Sequence, residues 1–384
     1  MSHVLEEYAK NLGVLISKPI VSKHYFPVVE DKYITIFSEE KMTSKNYKYY
    51  DMVLELLRPF LLEKNIKVIQ IDTKSNQIKG VNKVVGGLSF RQYAYLISKS
   101  IMHIGIDNVY SHYASSENIP IVNLFGNVYP SISNGYWSSD NERKDIAAPW
   151  EVKPSLSHED PKDEINLIKP EKIAQSILDL LGEKTKINFK TQNIGSMFSQ
   201  EIYEVVPTSF HPLPEEHDGI VFLRADYGVN PEAFLEYCGR YKVCIISDQL
   251  IQPSAINKFK NNISKISLIL DRDYEEIPEK YFEILKTWNI SVQILVKNEN
   301  DLAFLKNKYF DQDVHPYQSK KKKIKGVSKK SLFLSNKKIF KDGKVYASKA
   351  HLDVGKNLVD NKMNVINTPE YWEEQDHFYI YEQT

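Results

Sequence analysis

Residues 69–126 read IQIDTKSNQIKGVNKVVGGLSFRQYAYLISKSIMHIGIDNVYSHYASSENIPIVNLFG, and within them short apolar runs alternate with amphipathic stretches. IQID closes a strand, VNKVVG is a second short one, and SFRQYAYLISKS carries its apolar residues at helical spacing. IMHIGID then reads as a buried strand, NVYSHYASSEN as a helix and IPIVNLFG as a further strand. Upstream, YITIF (Tyr33 to Phe37), YYDMVLELLRPFLLEK (Tyr49 to Lys64) and KVIQID (Lys67 to Asp72) make a βαβ unit. Strands alternating with helices predict a parallel, doubly wound sheet.

Downstream of Gly126 the pattern loosens over residues 127–164, rich in Ser, Asn, Asp and Pro, and a loop of that length is expected to be functional or mobile. INLIKPEKIAQSILDLLGEK restores a helix, with Pro170 at its first position. The first domain is therefore placed at 1–184, followed by a proline-containing connector at 185–217 with room for one strand. A second α/β series fills 218–384, with strands at GIVFLRA, KVCIISD, KISLILD and SVQILVK and helices such as PEAFLEYCGRY and PEKYFEILKTWN between them. Two Rossmann-like domains are the expected architecture. Lys320 to Lys330 holds seven lysines in eleven residues, read as a solvated loop, with phosphate or membrane-surface contact as the other reading.

Composition sets limits. The 384 residues are enough for two domains, and 42% hydrophobic with 12% aromatic residues supply sizeable cores. Fifty basic residues against fifty acidic ones leave no global attraction to nucleic acid. Cys238 and Cys244 alone build neither a disulfide scaffold nor a thiolate zinc site. The N-terminus lacks a continuous apolar segment and no stretch approaches a membrane span, so a cytoplasmic location is expected.

Ligands of open α/β sheets bind at the carboxyl ends of strands, where helix starts offer free amides and a positive dipole end to anions. The richest junction joins IMHIGID to NVYSHYASSEN. Asp107 ends the strand, Asn108 can cap the helix, and His112 follows in its first turns. A diphosphate on the amides of Asn108 to Tyr110 fits there; ordinary caps and a satisfied core histidine are the bland readings of the same residues. Gly86 and Gly87, ahead of Ser89 and a helix, form a second strand-to-helix turn. The sequence has no G-x-G-x-x-G, P-loop, H-E-x-x-H, G-x-S-x-G or C-x-x-C, which disfavours dehydrogenase, P-loop, hydrolase and metal readings.

The quoted stretch resembles the nucleotide-sugar-binding half of the ADP-heptose:lipopolysaccharide heptosyltransferase family, glycosyltransferase family nine. That family carries a glycine and a serine before one helix, then Gly-x-Asp-Ser-Gly-x-x-His and, after a proline, Phe-Gly. Here these are GLSF, Gly105 to His112, Pro120 and Phe125-Gly126. SKNYKYYDMVLELL is similar to the family's K-x-W segment and INLIKPEKIAQSILDLL to its closing helix, so the resemblance covers about residues 30–182. It implies a GT-B enzyme: two Rossmann-like domains, a nucleotide-sugar donor held by this half, and no bound metal or other cofactor. On that analogy Asp107, Asn108 and His112 line the donor's phosphates and sugar, and Lys45 is the phosphate cation. Gly86, Gly87 and Ser89 would let the chain approach the nucleotide, with Asp72 and Lys74 near the base or ribose.

Three departures stand out. Asn108-Val109 replaces the family's Ser-Gly, Tyr47 replaces its tryptophan, and the donor-type half comes first in the chain. Circular permutation, with 218–384 as the acceptor half, accommodates the last. LRADYGVN is faintly similar to the family's first strand and acidic turn, making Asp226 the candidate acceptor base, with a helix-capping carboxylate as the alternative. The resemblance implies transfer of a sugar to a hydroxyl on a glycan, lipid-linked sugar or modified biopolymer. A catalytically silent nucleotide-sugar or glycan-binding module of the same ancestry, or a nucleotide-sugar epimerase, are the alternatives. Neither the donor sugar, the acceptor nor the oligomeric state is set by the sequence.

Overall fold

The computed structural model describes residues 2–28, 31–71, 77–149, 154, 164–198, 200–214, 219–274, 276–317, 323–328, 330–358 and 363–383. The chain divides into two compact units, Met1–Lys190 and Thr191–Gln383. The first opens with α1 (Val4–Leu12) and continues β1 (Tyr33–Ile36), α2 (Tyr50–Glu63), β2 (Lys67–Ile71), β3 (Lys83–Val85), α3 (Phe90–Lys99), β4 (Met102–Ile106), α4 (Val109–Ser116) and β5 (Ile121–Phe125). A single turn α5 (Pro130–Ser133), β6 (Arg143–Ala147) and α6 (Pro170–Leu180) complete it.

Its six strands are parallel in the order β3-β2-β1-β4-β5-β6. The chain winds outward from β1 to β3, crosses back to lay β4 against β1, and winds outward again. The β1/β4 boundary is thus a topological switch point, where loops on the two sides diverge and leave a crevice. Every residue of β1, β4 and β5 is buried, as expected of strands covered on both faces. Strand β6 lies in the stretch read above as an unstructured loop and corrects that reading. Its register is parallel to β5, from Ile121↔Arg143 to Phe125↔Ala147. Only Ile146 of β6 is buried, so no apolar run announces it.

The second unit follows β7 (Phe189–Ile194) with β8 (Ile202–Val205), β9 (Val221–Arg224), α7 (Pro231–Arg240), β10 (Val243–Ser247), α8 (Pro253–Ile256), β11 (Ile263–Leu270), α9 (Glu279–Thr287), β12 (Ser291–Val296), α10 (Leu302–Lys308) and β13 (Asp313–Pro316). Then come β14 (Leu332–Ser335), β15 (Lys337–Lys341), β16 (Lys344–Tyr346), α11 (Lys349–Asp353), β17 (Met363–Asn364), α12 (Pro369–Glu373) and β18 (Phe378–Gln383). Strands β8 to β13 lie side by side in chain order, and β15 returns to the free side of β8 in an eight-stranded sheet. A four-stranded sheet, β17-β14-β18-β7, carries its own aromatic core of Phe333, Tyr371, Trp372 and Phe378. Among its described residues the stretch 185–217 holds two strands, β7 and β8, one in each sheet.

One glycine fixes the switch-point architecture. A Cβ on Gly126, just past β5, would lie 2.6 Å from Ile165 Cβ and 2.8 Å from the Ser44 carbonyl oxygen. Its bareness lets two 3₁₀ turns, Thr43–Lys45 and Glu164–Leu167, close over the strand end. Gly126→Ala is expected to cost about 1–3 kcal/mol by overpacking, read as a lower urea midpoint at unchanged slope.

Candidate functional site

Two loops leave the carboxyl edge of the sheet on either side of the switch point, one after β1 and one after β4. The first is pinned along its length. Asn46 accepts from the Glu40 amide (2.8 Å) and donates back to its carbonyl (3.0 Å). The Lys48 amide donates to Asn166 Oδ1 (2.7 Å), and Asn127 Nδ2 donates to Ser44 Oγ (3.0 Å). The Tyr47 hydroxyl reaches the Ile168 carbonyl at 2.9 Å with its ring packed on Tyr49 and Tyr50, so this residue anchors the turn.

Lys45 is thereby delivered to the β4 end. Its Nζ donates to the Asp107 carbonyl and to Asp107 Oδ2, both at 2.8 Å, while His112 Nε2 lies 3.4 Å from Asp107 Oδ1. Burial pushes the Asp107 carboxyl up, but the His112 hydrogen bond and the Lys45 charge outweigh it and hold it below the usual carboxylate range. Lys45 and His112 both remain partly open to solvent. Of the sequence-nominated residues, Lys45, Asp107, Asn108 and His112 thus converge on one corner.

At the start of α4, Asn108 Oδ1 accepts from the amides of Tyr110 (2.9 Å) and Ser111 (3.0 Å). The Tyr110 amide, expected above to take a phosphate, is therefore engaged by the cap. The Val109 amide is the helix-start N–H that this side chain leaves uncapped, and the Val109 side chain above it is 55% exposed. Asn108 Nδ2 is buried without a hydrogen-bond partner. Neighbouring α3 brings a wall that sequence reasoning missed: the Phe90 ring stacks on Tyr110 (6.0 Å between centroids) and meets Tyr113 edge-on. An aromatic first residue after a helix cap is the signal that could have found it.

Ser89 caps α3, bonding Gln92 through both its amide and its hydroxyl (3.1 and 3.0 Å), and it is exposed. Gly86 and Gly87 are exposed, Gly87 with φ +72°, at the end of edge strand β3; Phe90, a few residues on, is their link to the α4 corner. Asp72 and Lys74 lie outside the described residues.

Asp226 belongs to the second unit and sits in a buried ionic cluster. Arg224 Nε and Nη2 hold its two oxygens at 2.9 and 2.7 Å, and the Tyr317 hydroxyl donates to Oδ2 at 2.8 Å. Arg224 also pairs with Glu204 (2.9 Å), which meets Lys337 (2.9 Å), which in turn meets Glu374 (2.6 Å). Burial raises the Glu204 carboxyl, but Lys337 and Arg224 outweigh it and keep it ionised. In this arrangement the carboxylate clamps the turn after β9.

No protein-family model matches the chain, and no curated protein matches it. Several solved structures do. The dodecameric, iron-containing heptosyltransferase TibC of enterotoxigenic E. coli, in complex with ADP-D-beta-D-heptose, is 18% identical, with 44% of this chain and 51% of that one covered and a TM-score of 0.35. A family 9 glycosyl transferase from Veillonella parvula is 14% identical over 46% and 49%, TM-score 0.33. The E. coli heptosyltransferase WaaC with ADP is 16% identical over 46% and 54%, TM-score 0.31. The chain matches these structures over about half of their length. Functional assignment therefore rests on the residues of the site.

Two substitutions probe this geometry. In the unfolded chain the Asp107 carboxyl titrates in its ordinary range and in the folded chain below it, so its contribution is complete above that range and vanishes as pH falls through the folded value. Asp107→Asn is expected to cost about 1–3 kcal/mol at neutral pH, with wild-type and variant stabilities converging on acidification. Asp226→Asn is expected to cost about 3–5 kcal/mol, because it leaves Arg224 underpaired in a buried setting. A base without a structural role would instead lose turnover with its urea midpoint intact.

Proposed function

We propose that the first unit binds the diphosphate of a nucleotide sugar at the Lys45–Val109 corner and that the protein transfers the sugar to a hydroxyl acceptor. One observation carries this reading: an ammonium fixed by two 2.8 Å hydrogen bonds beside a helix start with an uncapped amide, at the switch point of a parallel sheet. The Lys45 ammonium has a third N–H to offer, and the α4 dipole presents its positive end to the same space. As the bond from sugar to diphosphate breaks, negative charge grows on the departing phosphate, and preorganised donors stabilise it without a metal. The sequence resemblance supports a nucleotide sugar over a simple phosphate ester. The acceptor class is a glycan, lipid-linked sugar or modified biopolymer.

A second reading, a binding module without turnover, has its own observation. Val109 stands where the resembled family has glycine, and Asp107 already engages both Lys45 and His112. Thermal-shift titration with ADP-, UDP- and GDP-sugars tests binding, since a ligand of the folded state raises the melting temperature with its concentration over Kd. Lys45→Ala is expected to weaken the preferred ligand about 10- to 100-fold, the worth of one charged hydrogen bond. Release of nucleoside diphosphate with acceptors present supports transfer; binding without release supports the silent module; no shift with any sugar nucleotide contradicts both.

A further inference from the structure

The first residue of α3 is an aromatic ring left partly in solvent. Phe90 is 36% exposed, whereas Tyr93, Tyr110 and Tyr113 around it are buried. Tyr110 lies along one side of the ring, at an interplanar angle of 24° with centroids 6.0 Å apart, and Tyr113 meets it edge-on at 77° and 5.9 Å. A near-parallel neighbour covers one face of a ring, so the exposed area of Phe90 belongs to the opposite face and the rim. Tyr110 is itself packed by Phe37 (5.1 Å) and, edge-on, by Tyr93 (5.4 Å). The start of α3 is fixed as well, because the Ser89 amide and hydroxyl both bond Gln92 Oε1. The open face of Phe90 thus ends a column of packed rings.

This face is close to the Lys45–Val109 corner. Tyr110 follows Val109 directly, so the uncapped amide and the ring that backs Phe90 are carried by consecutive residues. From that amide to the open face the reach is one tyrosine side chain and one ring stack, comparable to the ribose and base that follow a diphosphate. The turn ahead of Phe90 is bare. Gly86 and Gly87 are exposed, and a Cβ on Gly87 would meet no heavy atom within 4 Å, so no side chain of the turn crowds a flat group there. The open surface is also small: one ring face, with the Val109 side chain 55% exposed at the start of α4. A stable protein partner takes about 800 Å² from each side, far more than one ring offers.

We propose that Phe90 is the platform on which the base of the bound nucleotide stacks. The inference rests on the reading of the Lys45–Val109 corner as the diphosphate site and adds the residue that holds the other end of the ligand. Every base has a π-face, and stacking on a protein ring is worth about 5- to 150-fold in affinity. A purine overlaps the ring more fully than a pyrimidine, so the platform favours adenine and guanine nucleotides over uracil ones.

Calorimetric titration of the full chain with ADP, UDP and inorganic pyrophosphate tests the proposal, because pyrophosphate has no base. Phe90→Ala is expected to weaken ADP about 5- to 150-fold and UDP by less, while pyrophosphate binds as it does to the wild type. Should that variant fold poorly, Phe90→Leu, which keeps an apolar contact with Tyr110, is expected to lose less in the same order. Phe90→Trp is expected to bind ADP at least as tightly as the wild type. Unchanged ADP affinity in a folded Phe90→Ala or Phe90→Leu protein, or equal losses for ADP and pyrophosphate, would overturn the platform. Pyrophosphate weakened by Lys45→Ala would then still leave the diphosphate corner standing. Pyrophosphate binding indifferent to Lys45→Ala would remove the corner and the platform together.

Discussion

The ion pair between Lys45 and Asp107 ties together the two loops that diverge at the switch point. Asp107 follows β4 and Lys45 lies in the loop after β1, so their contact joins the two loops across neighbouring strands. The pair is asymmetric. The ammonium gives two hydrogen bonds to a single residue, to its carbonyl and to its carboxylate, and this fixes the direction of its remaining N–H. With His112 on the other carboxylate oxygen, Asp107 is satisfied internally and orients a cation and an imidazole toward whatever enters.

That pair depends on packing some distance from it. Lys45 could not reach the β4 end if the turn carrying it stood off the sheet, and it lies close because Gly126 has no side chain and because Asn127, Asn166 and Tyr47 tether its flanks. Tyr47 anchors the turn by reaching the Ile168 carbonyl. At the other flank, Phe90 and Tyr110 make an aromatic wall that holds the starts of α3 and α4 side by side. A ligand in the crevice would meet a cation, one open amide, an imidazole and the exposed faces of Phe90 and Val109.

Most of the first sheet could be read from its sequence because its strands are buried on both faces and therefore appear as unbroken apolar runs. Strand β6 could not, because its sequence RKDIA opens on three charged residues and buries only Ile146. Strands β7 and β8 bury only one and two residues, so no apolar run marks them either. At the site, Lys45, Asp107, Asn108 and His112 were legible through local spacing and family resemblance. Their hydrogen-bond assignments were not: whether the Asn108 side chain caps Tyr110 or leaves it open depends on a rotamer. Asp226 shows the limit most clearly, since its partners Arg224 and Tyr317 are two and ninety-one residues away and only the fold brings the latter to it.

Sugar-nucleotide binding by the first unit requires the corner between Lys45 and Val109 to cradle an anion. Diffraction from crystals soaked with the nucleoside diphosphate that gives the largest thermal shift tests this most directly. Phosphate oxygens are expected within hydrogen-bonding distance of Lys45 Nζ and the Val109 amide, with Asp107 unmoved. Phosphates seated elsewhere on the molecule, with that corner unchanged, would contradict it.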